Sequence, residues 1–422
     1  MKGENYMNYI VYHLHSEESM NDSTTKYKEY ILRAKELNQK AIAFTEHGVV
    51  TSWIDKKRLC EQNGIKYIHG CEVYLTEKPL WETKVINELN EEEIKYKKRR
   101  DNYHTILLAK NWDGVKELNK LVSLSSNDEH RFFKPRIYFD EFFNISDNII
   151  KISACLQSPL WELYNEMLET EDENRRKECD KLLEKLILSY DFLEVQPHIY
   201  LDKQKEYNQL LLKWSKQYDK PLIAGTDTHS LNSYDAECRM IVKSSKGMKY
   251  EDEDTLDLTY KSVDELISMF EEQKSLPRKE FLQAIENTNL LYDLVEDFEL
   301  DYNIKYPKLY DNDEEICWQR IVKMFKDKIN RGIIPKNQIE QFKNDIKTEW
   351  ETFGIVGMQG FMLFMSELIC WCHENGIPTG FSRGSCAGSR IAYVLDIIDI
   401  NPVDFNLVFS RFCNPYRIEV GD

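Results

Sequence analysis

The chain has 422 residues, 42% hydrophobic and 12% aromatic, enough to bury more than one ordinary core, so two domains are expected. A formal net charge of −17 excludes a broad, sequence-independent grip on nucleic acid by the chain as a whole but leaves room for a local site. No stretch approaches the ~20 apolar residues of a membrane helix, the N-terminus lacks a signal-peptide pattern, and ten cysteines without close pairing suit free thiols in a cytoplasmic protein with no membrane partner.

In chain order, seven short runs dominate the first half: YIVYHLH (9–15), KAIAFTEH (40–47), KYIHGCEVYL (66–75), HTILLAK (104–110), IIKISAC (149–155), FLEVQPH (192–198) and PLIAGTDTH (221–229). Each is β-branched or aromatic and nearly continuous in hydrophobicity, which predicts buried parallel strands. Between the first two, Tyr27, Tyr30, Ile31, Ala34 and Leu37 recur at helical spacing and predict an amphipathic helix over 26–38. Repeated βα units give an α/β fold, either a barrel or an open doubly wound sheet.

Nine potential metal ligands sit mostly at or beside the ends of these runs: His13, His15, Asp22, His47, Glu72, His104, Cys155, Asp227 and His229. A barrel gathers strand ends onto one face, so this placement favours a barrel-like fold. His104 breaks the pattern by preceding its apolar run, and FLEVQPH carries no member of the set. Mixed nitrogen, sulfur and oxygen donors suit zinc, manganese or iron better than calcium or magnesium alone. His69, His130, His198 and His373 read as hydrogen-bonded structural residues, and the cysteines other than Cys155 as packing. Glu194 and Gln196 alternate toward one face and are candidates for touching substrate. The acidic stretches 169–174, 251–257 and 311–315 read as solvated faces and connectors.

Farther on, a helix predicted over 361–374 precedes GFSRGSCAGS (380–389). Gly380, Gly384 and Gly388 let backbone approach a ligand, Arg383 offers a planar charged fork, and Ser385 and Ser389 add hydroxyl donors, a combination suited to a triphosphate.

The opening H-x-H and S-M-x-D, as His13, His15, Ser19, Met20 and Asp22, resembles the polymerase and histidinol phosphatase (PHP) domain. TEH (45–47), GCE (70–72), YH (103–104), SAC (153–155) and TDTH (226–229) follow in that family's order, with Glu46 where the family usually has Asp. Residues 259–270, 284–295 and 351–422 resemble the bacterial replicative DNA polymerases of family C, the DNA polymerase III α subunit, up to the first part of the palm. The resemblance implies a distorted (β/α)7 PHP barrel over about 1–275 and an incomplete α+β palm over 276–422. It implies a 3′–5′ exonuclease with a zinc and/or manganese cluster held by the nine residues above, and nucleotide binding at the 380–389 loop, where Phe381 and Ser382 replace the usual Pro-Gly. Asp422 resembles the first catalytic aspartate of the palm, with Gly421 for a usual proline; magnesium would join at the completed polymerase site. The implied partners are a DNA primer-template, dNTPs, replisome components and a second polypeptide carrying the missing catalytic aspartates, without which no polymerisation is expected. Two rival readings are a free-standing phosphatase for small phosphate monoesters and a noncatalytic scaffold braced by metals.

Overall fold

The computed structural model describes residues 8–86, 92–247, 256–302 and 307–416. Nine strands occur among them: β1 (Ala41–Phe44), β2 (Lys66–Thr76), β3 (Trp81–Ile86), β4 (Glu92–Lys97), β5 (Tyr103–Ala109), β6 (Arg136–Tyr138), β7 (Ile149–Ile152), β8 (Leu193–Val195) and β9 (Leu222–Ala224). Their near-continuous hydrophobicity has a structural cause, because side chains on both faces are buried. One set, including Ile10, Tyr12, Ala41, Ala43, Ile68, Ile106, Leu108, Ile150 and Ile152, packs together on one side. The alternating set, including Val11, Ile42, Phe44, Val73 and Leu107, packs with Tyr30, Ile31 and Ala34 of the helix Tyr27–Glu36.

The strands form a closed ring. β1 pairs in parallel with β2, β2 antiparallel with β5, and β5 antiparallel with β7. Ile152 bridges Phe192 in parallel, leading to β8 and its parallel partner β9. Residues 9–15 complete the circuit without forming a regular ladder. On one side the His15 N–H donates to the Thr228 carbonyl at 2.8 Å and the Thr228 N–H to the His13 carbonyl at 3.0 Å; on the other the Ala43 N–H reaches the Val11 carbonyl at 3.0 Å. The result is the distorted seven-membered barrel expected from the resemblance.

The expectation of uniformly parallel strands is corrected at β5, which runs antiparallel to both neighbours. Between β2 and β5 the described chain makes only the β3–β4 hairpin, with no crossover helix to return it to the opposite end of the barrel. This reversal brings the start of β5 to the rim where β1 and β2 end, and His104 arrives there from the front of its run.

The chain divides into two compact units, Met1–Glu299 and Leu300–Asp422. Residues 276–299, assigned with the palm from sequence alone, pack in the first unit. Phe281, Ala284 and Ile285 join its helix-covered core, and Leu291 and Val295 join the inner set of strand residues. The Thr288 hydroxyl accepts the Ile10 N–H at 3.1 Å, which ties this segment to the first strand-like run. The described residues of the second unit are helices and turns, chiefly Asp313–Asn330, Ile339–Ile355 and Gln359–Glu374, packed around Ile321, Phe342, Ile346, Phe353 and Leu363. Gly421 and Asp422 lie outside the described residues. Among the described residues, no single helix is long and apolar enough to cross a membrane.

Ring closure depends partly on one side chain. The buried Thr45 hydroxyl accepts the Leu14 N–H at 2.9 Å and lies 3.3 Å from the Tyr12 carbonyl. Thr45→Val keeps the shape but strands the Leu14 donor, so a loss of about 1–3 kcal/mol in urea unfolding is expected. An unchanged midpoint would show that this bond does not brace the closure.

Candidate metal centre

The nine sequence-selected donors meet on one rim of the barrel as a connected network. Glu72, fully buried near the end of β2, is at its centre: its Oε1 lies 2.8 Å from His47 Nδ1 and 3.0 Å from His104 Nδ1, and its Oε2 lies 3.1 Å from His13 Nε2. Asp227 Oδ1 stands 3.1 Å from His13 Nε2, 3.3 Å from His15 Nε2 and 3.5 Å from His229 Nδ1. Asp22 Oδ2 contacts His47 Nε2 at 2.9 Å and His229 Nε2 at 3.3 Å. Cys155 Sγ completes the group, 3.7 Å from His104 Nδ1.

Local backbone conformation delivers two of these residues. Ala154, just before Cys155, and Asp227 itself have φ values of 60° and 46°, left-handed positions that side-chain-bearing residues adopt rarely and that concentrate at functional sites. Glu194, a candidate for touching substrate, is instead fully buried behind the cluster, where its Oε1 accepts from His13 Nδ1 at 2.7 Å and from Gln196 Nε2 at 2.6 Å. This contact fixes the ring so that Nε2 faces the other donors, the way a carboxylate orients a metal-ligating histidine. Gly225 makes the room, since a Cβ there would fall 2.3 Å from Glu194 Oε1.

Two further residues had no place in the sequence reading, and a third, Glu46, had no partner there. Buried Arg239 and Lys243, on the helix Ser233–Ser245, reach Asp22 Oδ1 at 2.6 and 3.1 Å; their spacing of four on a helix following TDTH was the available signal. Glu46 pairs with buried Lys56 at 2.7 Å and accepts the hydroxyls of Ser16 and Ser19. Ser19 Oγ in turn accepts the His47 N–H at 3.2 Å and contacts His15 Nδ1 at 3.3 Å, so Glu46 has a partner network of its own.

Electrostatics follow from this crowding. Burial opposes ionisation of Asp22, Glu72 and Asp227, yet the surrounding histidines hold all three carboxyls well below the usual range. Burial, then the charges of His47 and His229, push His15 down to about 3, leaving it neutral. Burial also disfavours charge on His47, but Glu72 and Asp22 outweigh it and lift that group to about 10. The Cys155 thiol is pushed well above its ordinary value by burial and by Asp227 and Glu72. His15 Nε2 and Asp227 Oδ1 are buried in close ion-pair contact, but none of their contacts has hydrogen-bond geometry. A cation would satisfy both atoms and reverse the penalty on the thiol, so the residues present fit a metal centre.

The 380–389 loop separates into two parts. Gly380, Arg383, Gly384 and Ser385 are exposed, with Gly384 at φ 54°. Gly388 and Ser389 are buried: Ser389 Oγ donates to Glu349 at 2.7 Å and accepts the Ala392 N–H at 3.0 Å, capping the helix Arg390–Val394. A Cβ on Gly388 would meet the Val408 carbonyl oxygen at 2.6 Å.

Residues 12–198 match the family model described as PHP domain, and residues 314–422 the one described as bacterial DNA polymerase III alpha NTPase domain. The DNA polymerase III subunit alpha of Borreliella burgdorferi is 32% identical over 98% of this chain and 34% of its own length. That of Helicobacter pylori is 30% identical over 97% and 34%, and that of Aquifex aeolicus 28% over 98% and 36%. The chain thus spans about a third of the length of the curated relatives it matches.

Two buried histidines outside the nine set an acid limit on the fold. His69, between the Tyr67 hydroxyl at 3.0 Å and Asn119 Oδ1 at 2.9 Å, and His198, 3.1 Å from Gln196 Oε1, are both pushed down to about 4 by burial. A group depressed in the folded state contributes stability above its unfolded value, near 6.5, which is lost as pH falls toward 4. Each should cost about 2 kcal/mol by pH 5. The melting temperature of chelator-treated protein is expected to fall across that window; a flat profile would contradict neutral burial.

Proposed function

From a chain that carries a PHP domain and, beyond it, a segment of the bacterial DNA polymerase III α family, we propose a part of a replicative DNA polymerase whose PHP domain is a metal-dependent 3′–5′ exonuclease. The observation that supports this most is the convergence of nine donors on one barrel rim, with His15 Nε2 and Asp227 Oδ1 buried among them and short of a well-directed hydrogen bond. His13, His15, His47, His104 and His229 supply nitrogen, Asp22, Glu72 and Asp227 oxygen, and Cys155 sulfur; the mixture suits zinc or manganese. Bound there, such metals supply Lewis acidity toward phosphodiester oxygens and lower the pKa of a water nucleophile.

The chain's own contribution is orientation and charge. Glu194 holds the His13 ring with Nε2 toward the cluster, and Ser19, held by Glu46, fixes the His15 ring and the His47 backbone. Arg239 and Lys243 hold one oxygen of Asp22, which aims it and leaves its second oxygen for the site. In this reading primer-template DNA and dNTPs are the substrates and replisome components the partners, in the cytoplasm. Arg383 would contact the incoming triphosphate, and magnesium at a polymerase site would serve nucleotide addition, with Asp422 among the residues that would hold it.

Purified protein should carry more than one transition metal per chain by elemental analysis; a well-folded, metal-free preparation would sink the assignment. Asp227→Asn removes a charged donor at little steric cost, and nucleotide release from a mismatched 3′ end should fall by roughly a hundredfold. Unchanged release would show that the cluster is not the catalyst. Hydrolysis of nitrophenyl phosphate without attack on single-stranded DNA would instead favour a small-molecule phosphatase, and a metal-replete but inactive protein a scaffold.

A further inference from the structure

The one dense basic run in this acidic chain is placed at the rim of the metal centre. Five of the six residues 95–100, KYKKRR, are Lys or Arg, against a net charge of −17. They end β4 and form the leg that descends to β5, and Arg100 precedes His104 by four residues, at most about 14 Å of chain. The leg is fixed. Arg136, buried to 1% exposure, donates to the carbonyls of Arg99 and Asp101 at 2.7 and 3.1 Å and pairs with Asp101 at 3.2 Å, while Thr76 donates to the other Asp101 oxygen at 2.8 Å.

A path of contacts leads from this leg to the cluster. The Arg100 guanidinium lies 3.9 Å from the Phe133 ring centre. Phe133 is 62% exposed and held at φ 63°, a conformation strained for a bulky residue, at the tip of a turn whose flanking residues Phe132 and Lys134 bridge each other. Exposed Lys134 is 3.4 Å from the Tyr74 hydroxyl and 5.0 Å from its ring centre. The Tyr74 ring stands 5.0 Å from His104 and 6.2 Å from His47.

We propose that Lys97, Arg100, Phe133 and Lys134 form a track that carries a single nucleic-acid strand to the metal centre, the cations taking phosphates and Phe133 stacking on a base. Alternating cations and an exposed aromatic are what a single strand requires of a protein, phosphate neutralisation for affinity and a ring face for sequence-tolerant stacking. A small phosphate monoester would reach no farther than Lys134 and would leave the rest of the run without a purpose. The inference rests on the exonuclease reading and adds how the strand is presented. It also reconciles the acidic chain with a nucleic-acid substrate, because the positive charge is local.

Binding of fluorescein-labelled oligo(dT) to the full chain, measured by anisotropy in chelator at several salt concentrations, tests the track without hydrolysis. A Lys97→Ala, Arg100→Ala, Lys134→Ala triple variant should lose about tenfold or more in affinity, and its salt dependence should fall by about two units of slope. Phe133→Gly should weaken binding several-fold while the melting temperature holds or rises, because glycine accepts the left-handed backbone without strain. Unchanged affinity in the triple variant, or poly-glutamate bound as tightly as oligo(dT), overturns the inference. Metal-replete parent protein that binds oligo(dT) through these residues but releases no nucleotide counts against the exonuclease reading and supports the track. Nucleotide release with an unchanged KM in the triple variant counts against the track alone.

Discussion

Glu72 is a carboxylate without solvent, and the structure around it is organised to keep it charged. An isolated buried carboxylate would neutralise itself by shifting its pKa upward. Here His13, His47 and His104 approach within 3.1 Å, each from a different part of the barrel, and the group is held ionised. That arrangement exists only if the ring is closed, because His13 comes from the segment that seals it and His104 from the one reversed strand. Barrel closure and cluster assembly are therefore the same event viewed at two scales.

The surrounding hydrogen bonds extend that logic outward. Three of the donors that face the centre are braced from behind: His13 by Glu194, His15 by Ser19, and Asp22 by Arg239 and Lys243. Buried polar groups are costly unless satisfied, so these partners both permit the burial and fix the geometry. Among the buried atoms without a well-directed hydrogen bond, His15 Nε2 and Asp227 Oδ1 are aimed at the shared space. Three of the non-glycine positions with left-handed backbone lie on the same map, Ala154 and Asp227 inside the cluster and Phe133 on its approach. A site that holds several anionic donors close together is poised for cations and hostile to a phosphodiester until those cations arrive. Local positive charge on the β4–β5 leg then has a clear physical purpose, to offset the repulsion that an acidic chain would exert on a polyanion.

Much was legible from residues alone. The nine donors, their order, and the apolar runs that carry them are local properties of the chain, as is the helix at Tyr27–Glu36, because burial on both faces of a strand and on one face of a helix leaves a periodic trace. Tertiary structure decided what depends on direction and on distant partners. A period of two reads the same whichever way a strand runs, so nothing in HTILLAK announced that β5 is reversed, although His104 at the front of its run was the trace of it. The division at Glu299 followed from Leu291 and Val295 packing with the strands. Glu194 behind His13, Glu46 between Lys56 and Ser19, and the buried Ser389 cap each depend on a residue tens to nearly two hundred positions away, and sequence spacing carries no record of such pairs.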